Sequence, residues 1–219
     1  MKIGRYRLSS RQPLIVGVIV LITVLIVGIY IASKLSQPTP PLPPMITIVF
    51  DFDTGSPILT ANQITPFSQT SKGLTANFSS PSDPAAFSVK NTGTESFKLS
   101  QFSGKYIYDN NPSRDILDVK FSSEIAAIYF TFATVEYQSE TITLPSDILV
   151  TAYRNNNLAG SNTTYGTFSS DSFPQGVLTF NSGTLFNWIR ISIPSQTSET
   201  TDFLVDDITI LMFSKPPST

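Results

Sequence analysis

The chain has 219 residues, with 14 basic and 16 acidic side chains and a net charge of −2. It contains neither Cys nor His, which excludes disulfides, thiolate or imidazole metal sites, Cys nucleophiles and any Ser-His-Asp arrangement. Five of the basic residues (Lys2, Arg5, Arg7, Arg11 and Lys34) precede residue 35 with no acid among them, leaving nine basic against 16 acidic residues afterwards, a net of −7 that suits nucleic acid poorly.

Residues 14–33, LIVGVIVLITVLIVGIYIAS, hold no charge and are dense in Val, Ile and Leu. As a helix they would extend ~30 Å, the hydrocarbon thickness of a bilayer. With basic residues 1–13 before it and only Lys34 close behind, the positive-inside rule keeps the N-terminus cytoplasmic and sends the rest across the membrane. The expectation is a single-pass signal-anchor; a cleaved signal peptide is the rival, weakened by the length of the run and the bulky residues at its end. Residues 34–44 include QPTPPLPP, a stiff proline-rich spacer.

From Met45 the texture changes to short runs rich in Val, Ile, Phe, Tyr and Thr, divided by Gly, Pro, Asn, Asp and Ser. ITIVFDFD places Ile46, Ile48, Phe50 and Phe52 on one face, with Asp51 and Asp53 together on the other. AIYFTFAT, ILVTAYR, NWIRISI and FLVDDITILMF predict further strands, and weaker ones are expected at 74–78, 86–90, 96–102, 116–121, 140–144 and 176–180. YDNNPSRD and RNNNLAGSNTTYG read as polar linkers. Period-2 burial with one wet face and no capped helical period predicts antiparallel sheets packed face to face, over residues 45–213, with 214–219 as a tail.

The opening FDFD strand, the hairpin phrase ILVTAYRNNNLAGS and the closing FLVDDITI together resemble a jelly-roll of the galactose-binding-like kind, which includes many carbohydrate-binding modules of bacterial surface and secreted proteins. The resemblance implies paired first and last strands and a structural calcium held by Asp51 and Asp53 from the first and by Asp206 and Asp207 from the last. Calcium takes six to eight oxygens, and neighbouring carboxylates would repel without a cation. The plainer alternative makes these residues solvated turn formers.

Trp188, the only Trp, and Arg190 alternate with Ile189, Ile191 and Ile193 and so face outward. An exposed indole beside Arg can stack on a sugar ring, with Tyr153 and Tyr165 joining from the neighbouring hairpin. The commoner fate of such a Trp is to complete a minor core beneath a loop. Glu136 and Glu140 read as solvated surface carboxylates, too far apart along a strand to act as a glycosidase pair. The sequence therefore predicts a membrane-anchored, extracytoplasmic, non-catalytic module whose partner is glycan. A structural or adhesive protein that binds other proteins is the alternative, and a carboxylate-only glycosidase is the remote one.

Overall fold

The computed structural model describes residues 43–110, 115–136, 144–194 and 202–214, which fall in one compact unit, Pro43–Thr219. The expected span at 14–33, nearly all of the proline-rich spacer, Glu140 and all but the first residue of the tail lie outside the described residues. Among the described residues no helix is long and apolar enough to cross a membrane.

Twelve strands are described: β1 (Met45–Phe50), β2 (Phe67–Ser71), β3 (Leu74–Ser79), β4 (Phe87–Asn91), β5 (Lys105–Asp109), β6 (Leu117–Ile125), β7 (Ala127–Thr134), β8 (Asp147–Arg154), β9 (Asn157–Tyr165), β10 (Gln175–Phe180), β11 (Phe186–Ser192) and β12 (Phe203–Phe213). They form two six-stranded sheets. One runs β10-β7-β12-β5-β4, with β1 also on β12; the other runs β2-β3-β6-β11-β8-β9. Every pairing is antiparallel.

Alternation explains the sandwich. On β7, Ile128, Phe130 and Phe132 are fully buried while Tyr129 and Thr131 stay half-buried on the other face. On β11, Ile189 and Ile191 turn inward. These rows meet Phe50, Phe78, Val119, Val150 and Phe203 in one core drawn from both sheets. Each large aromatic sealed there removes apolar surface worth ~25 cal/mol per Å².

The first and last strands pair as the resemblance implied, with Met45 opposite Phe213 and Phe50 opposite Ile208. Three expectations need correction. Of the stretches read as linkers, Tyr108 and Asp109 belong to β5, and residues 157–165 form β9 along the edge of the second sheet. Residues 96–102 are no strand: they form a strap over the outer face of the first sheet. There Leu99 and Phe102 pack on Tyr106, Phe173 and Leu204 in a second, smaller core. Asp171 ties the strap down. Its carboxylate accepts from the Ser100 N–H at 3.0 Å, the Ser100 hydroxyl and the Gln175 amide at 2.6 Å, and pairs with Lys98 at 3.4 Å. The third correction is Glu136, which is buried and not solvated. It accepts from the Thr134 hydroxyl at 2.6 Å and the Ser146 N–H at 2.6 Å, bracing the ends of one connection.

Candidate functional site

Two groups of candidate side chains stand apart, one on the outer face of the second sheet and one where the turn after β1 meets the bulge of β12 in the first. The first is centred on β11. Its register with β6 and β8 sets Trp188 opposite both Lys120 and Tyr153. Lys120 in turn faces Asn77 on β3, and Tyr153 faces Leu158 on β9. One transverse row therefore crosses five strands: Asn77, Lys120, Trp188, Tyr153, Leu158. Strands ~4.8 Å apart make it about 19 Å long. A neighbouring row sets Asp118 opposite Arg190 and Arg190 opposite Thr151.

Trp188 is half-buried, neither sealed in a core nor standing free. Tyr153 stacks on it with ring centroids 4.4 Å apart and planes 26° from parallel. The Lys120 ammonium and the Arg190 guanidinium each lie 5.0 Å from the indole centroid, within cation–π range. Arg190 is also paired with Asp118: its Nε donates to Asp118 Oδ1 at 2.9 Å and its second arm to Oδ2 at 3.3 Å. That hydrogen bond raises the guanidinium pKa above its ordinary value. Among the described residues the buried Trp188 Nε1–H has no acceptor.

Beside the indole lies an open groove of about 380 Å³ lined by Lys120, Phe121, Asn155, Asn156, Asn187 and Trp188. Its rim is the β8–β9 turn, where Asn155 and Asn156 adopt φ of 49° and 71°. Paired positive φ values are the hairpin geometry that Asn tolerates better than other side-chain-bearing residues. The Asn155 N–H donates to Asn187 Oδ1, and Asn187 Nδ2 to Asn155 Oδ1, both at 3.1 Å, fixing the turn against β11. Tyr165 is not part of this site. It pairs with Asp147 at the far end of the hairpin, six residues along β8 from Tyr153. Lys120, Asp118 and the three asparagines were missed from the sequence, although Asp118 and Lys120 alternate with Leu117, Val119 and Phe121 in an outward pattern.

The second group is acidic. β1 ends at Phe50, so Asp51 and Asp53 sit on a turn and not on a strand face. Asp51 Oδ1 accepts from the Asp53 N–H at 3.2 Å and the Thr54 N–H at 2.8 Å. Asp53 accepts from the Lys105 N–H at 3.0 Å and pairs with its ammonium at 3.2 Å. A bulge between Asp206 and Thr209 on β12 re-aims the closing acids, with Asp207 at φ 49°. Asp206 is fully buried beneath the strap, accepting from the Ser103 N–H at 3.0 Å and the Asp207 N–H at 2.8 Å. Burial, with Asp207 and Asp53 adding repulsion, pushes its pKa up to about 7. Burial first, then Asp51 and Asp53, raises that of Asp207. The four acids are thus electrostatic neighbours. Among the described residues, however, no group of three or more Asp or Glu converges closely enough to form a metal cluster.

No protein-family model and no curated protein matches this chain. Solved structures similar to it include carbohydrate-binding modules and adhesin domains. One is a carbohydrate-binding module studied for specific mannan recognition, 9% identical over 78% of this chain and 99% of that one, TM-score 0.42. Another is the K1 cleaved adhesin domain of Lys-gingipain from Porphyromonas gingivalis W83, 8% identical over 75% and 97%, TM-score 0.41. A Stig cyclase from Fischerella sp. TAU is 12% identical over 78% and 100%, TM-score 0.42. Identities this low leave function to be read from the site. What fold and site define together is an antiparallel β-sandwich with an aromatic row on one outer face.

Proposed function

We propose that this protein is a membrane-anchored, extracytoplasmic jelly-roll module that binds glycan without catalysis. The observation that carries the reading is the outward row built on Tyr153 and Trp188, two rings stacked at 4.4 Å, the indole bordering a groove edged by amides. Stacked rings lose little freedom on binding, and their apolar surface suits the C–H faces of sugars while the asparagines supply directional hydrogen bonds. The anchoring rests on residues 14–33 and the basic residues before them, and the outward orientation on the same asymmetry.

A structural calcium at Asp51, Asp53, Asp206 and Asp207 belongs to the same reading. It would be held by no more than two of these carboxylates at once together with backbone and water oxygens, since no three acids converge among the described residues. Its support is the cost of burying Asp206 near other acids, which a cation would relieve as a proton does. Lys105 is the cation that Asp53 already has. Because Asp206 and Asp207 belong to β12 of the first sheet and Trp188 to β11 of the second, calcium would act on stability and not on the ligand directly.

The test is a glycan array probed with the purified full-length chain and with Trp188→Ala, folding of both being checked by circular dichroism. Saccharide binding that the substitution abolishes supports the reading. Binding that survives it moves the site elsewhere. A folded chain that binds no glycan but pairs with surface proteins refutes the reading and establishes the adhesive alternative.

A further inference from the structure

We infer that the Trp188 groove selects acidic saccharides, its ligand carrying a carboxylate or sulfate that pairs with Lys120. This rests on the glycan reading above and specifies the chemistry of that ligand. The inference starts from which charges near the groove are already spent. Asp118 is held by both arms of Arg190, and Glu124 by both arms of Arg154 at 2.6 and 3.0 Å. Among the described residues Lys120 has no carboxylate partner, and its ammonium rests over the Trp188 ring. The groove thus has one uncompensated positive charge in a unit that is acidic as a whole.

Hydrogen-bonding capacity points the same way. Asn155 and Asn187 satisfy each other in part, Lys120 offers three donors, and no unpaired carboxylate lines the groove. A neutral sugar is served by the three asparagines alone, since each amide both donates and accepts. The Lys120 ammonium, which only donates, adds a charged donor without an anionic acceptor in the groove and fits a ligand that brings one. Its position adds a mechanism. A ligand anion drawing the ammonium off the indole uncovers the Trp188 face for the sugar ring, so charge recognition and stacking become one event. A charge-assisted bond to the anion is stronger than the exposed cation–π contact it replaces.

Trp188 is the only Trp in the chain, so intrinsic fluorescence reports on this groove. The experiment titrates the full-length protein with polygalacturonate and its fully methyl-esterified form, and with a sulfated galactan and its desulfated form. Lys120→Gln and Lys120→Arg are carried alongside. The expected result is an affinity at least about tenfold higher for one or both acidic polymers than for the neutral match, a ratio worth ~1.4 kcal/mol. Lys120→Gln should erase that ratio, Lys120→Arg should keep it, and 500 mM salt should shrink it. Which pair shows the ratio tells carboxylate from sulfate. Equal affinity for charged and neutral polymers, or a ratio unchanged in Lys120→Gln, overturns the inference; if Trp188→Ala still abolishes binding, the glycan reading survives it. Absence of any fluorescence change or array signal removes both.

Discussion

Asp206 offers the sharpest quantitative test, because its carboxylate is fully buried and its pKa stands near 7 against 3.8 in a free chain. The folded state then holds a proton between those values that the unfolded state releases. Stability must fall as pH rises through that window, and above it the full cost is incurred. About three pKa units at ~1.36 kcal/mol each amount to ~4 kcal/mol over the whole window, of which about two units, ~2.7 kcal/mol, lie above pH 5. In a unit this size each kcal/mol moves Tm by ~2–4 °C, so Tm in EDTA should drop by ~5–10 °C between pH 5 and pH 8.5. Asp207, raised in the same direction, adds to the slope. Differential scanning calorimetry across that range measures it, with Asp206→Asn expected to lose most of the slope. Calcium at 100 times its Kd would restore ~2.7 kcal/mol at pH 8.5 and flatten the profile. A flat or rising Tm in EDTA refutes the buried-charge reasoning. A sloping profile that millimolar calcium leaves unchanged refutes the calcium site alone.

Further outcomes follow from neighbouring residues. Gly104 has φ 59°, and a Cβ there would overlap the Asp53 carboxylate, so Gly104→Ala should cost about 2 kcal/mol or more in urea unfolding and weaken any calcium response. Phe130→Ala, at a fully buried position between the sheets, should lose ~3–5 kcal/mol in the same assay with the Trp188 groove intact in any folded fraction. For Asp171 the sign is opposite to that of Asp206. Hydrogen bonds from Ser100 hold its pKa down to about 2, so Asp171→Asn should lower Tm at neutral pH, and the gap to wild type should close as pH falls from about 4 towards 2.

How far these features are legible in the sequence depends on what each segment buries. Ile128, Phe130 and Phe132 announce β7, and Ile189 and Ile191 announce β11, because a half-buried strand writes its alternation directly. β9 writes nothing of the kind: NLAGSNTTY has no residue sealed in the core and is extended because β8 pairs with it. The strap misleads in the opposite sense. Phe97, Leu99 and Phe102 are apolar because they cover the outside of a sheet, where hydrophobicity comes without a ladder. At the site, the outward facing of Trp188 and Arg190 follows from period two. The pairing of Arg190 with Asp118 and the solitude of Lys120 depend on strand order, which adjacent residues do not encode. The acids were legible as a set but not in their geometry, since the turn at Asp51 and the bulge at Asp206 are local departures from the pattern that revealed them.

The antiparallel union of β1 with β12 has a mechanical meaning. With Met45 opposite Phe213, both ends of the paired strands emerge at one pole of the sandwich. Tension applied between them loads the hydrogen bonds one pair at a time, as a zipper opens, and never all together in shear. Peeling starts at the exposed Met45 and Ile46, where only ladder bonds resist, and stiffens where Ile48 and Phe50 must leave the core. A tug between these two ends is therefore met in steps along one seam, before the other strands of the sandwich are loaded.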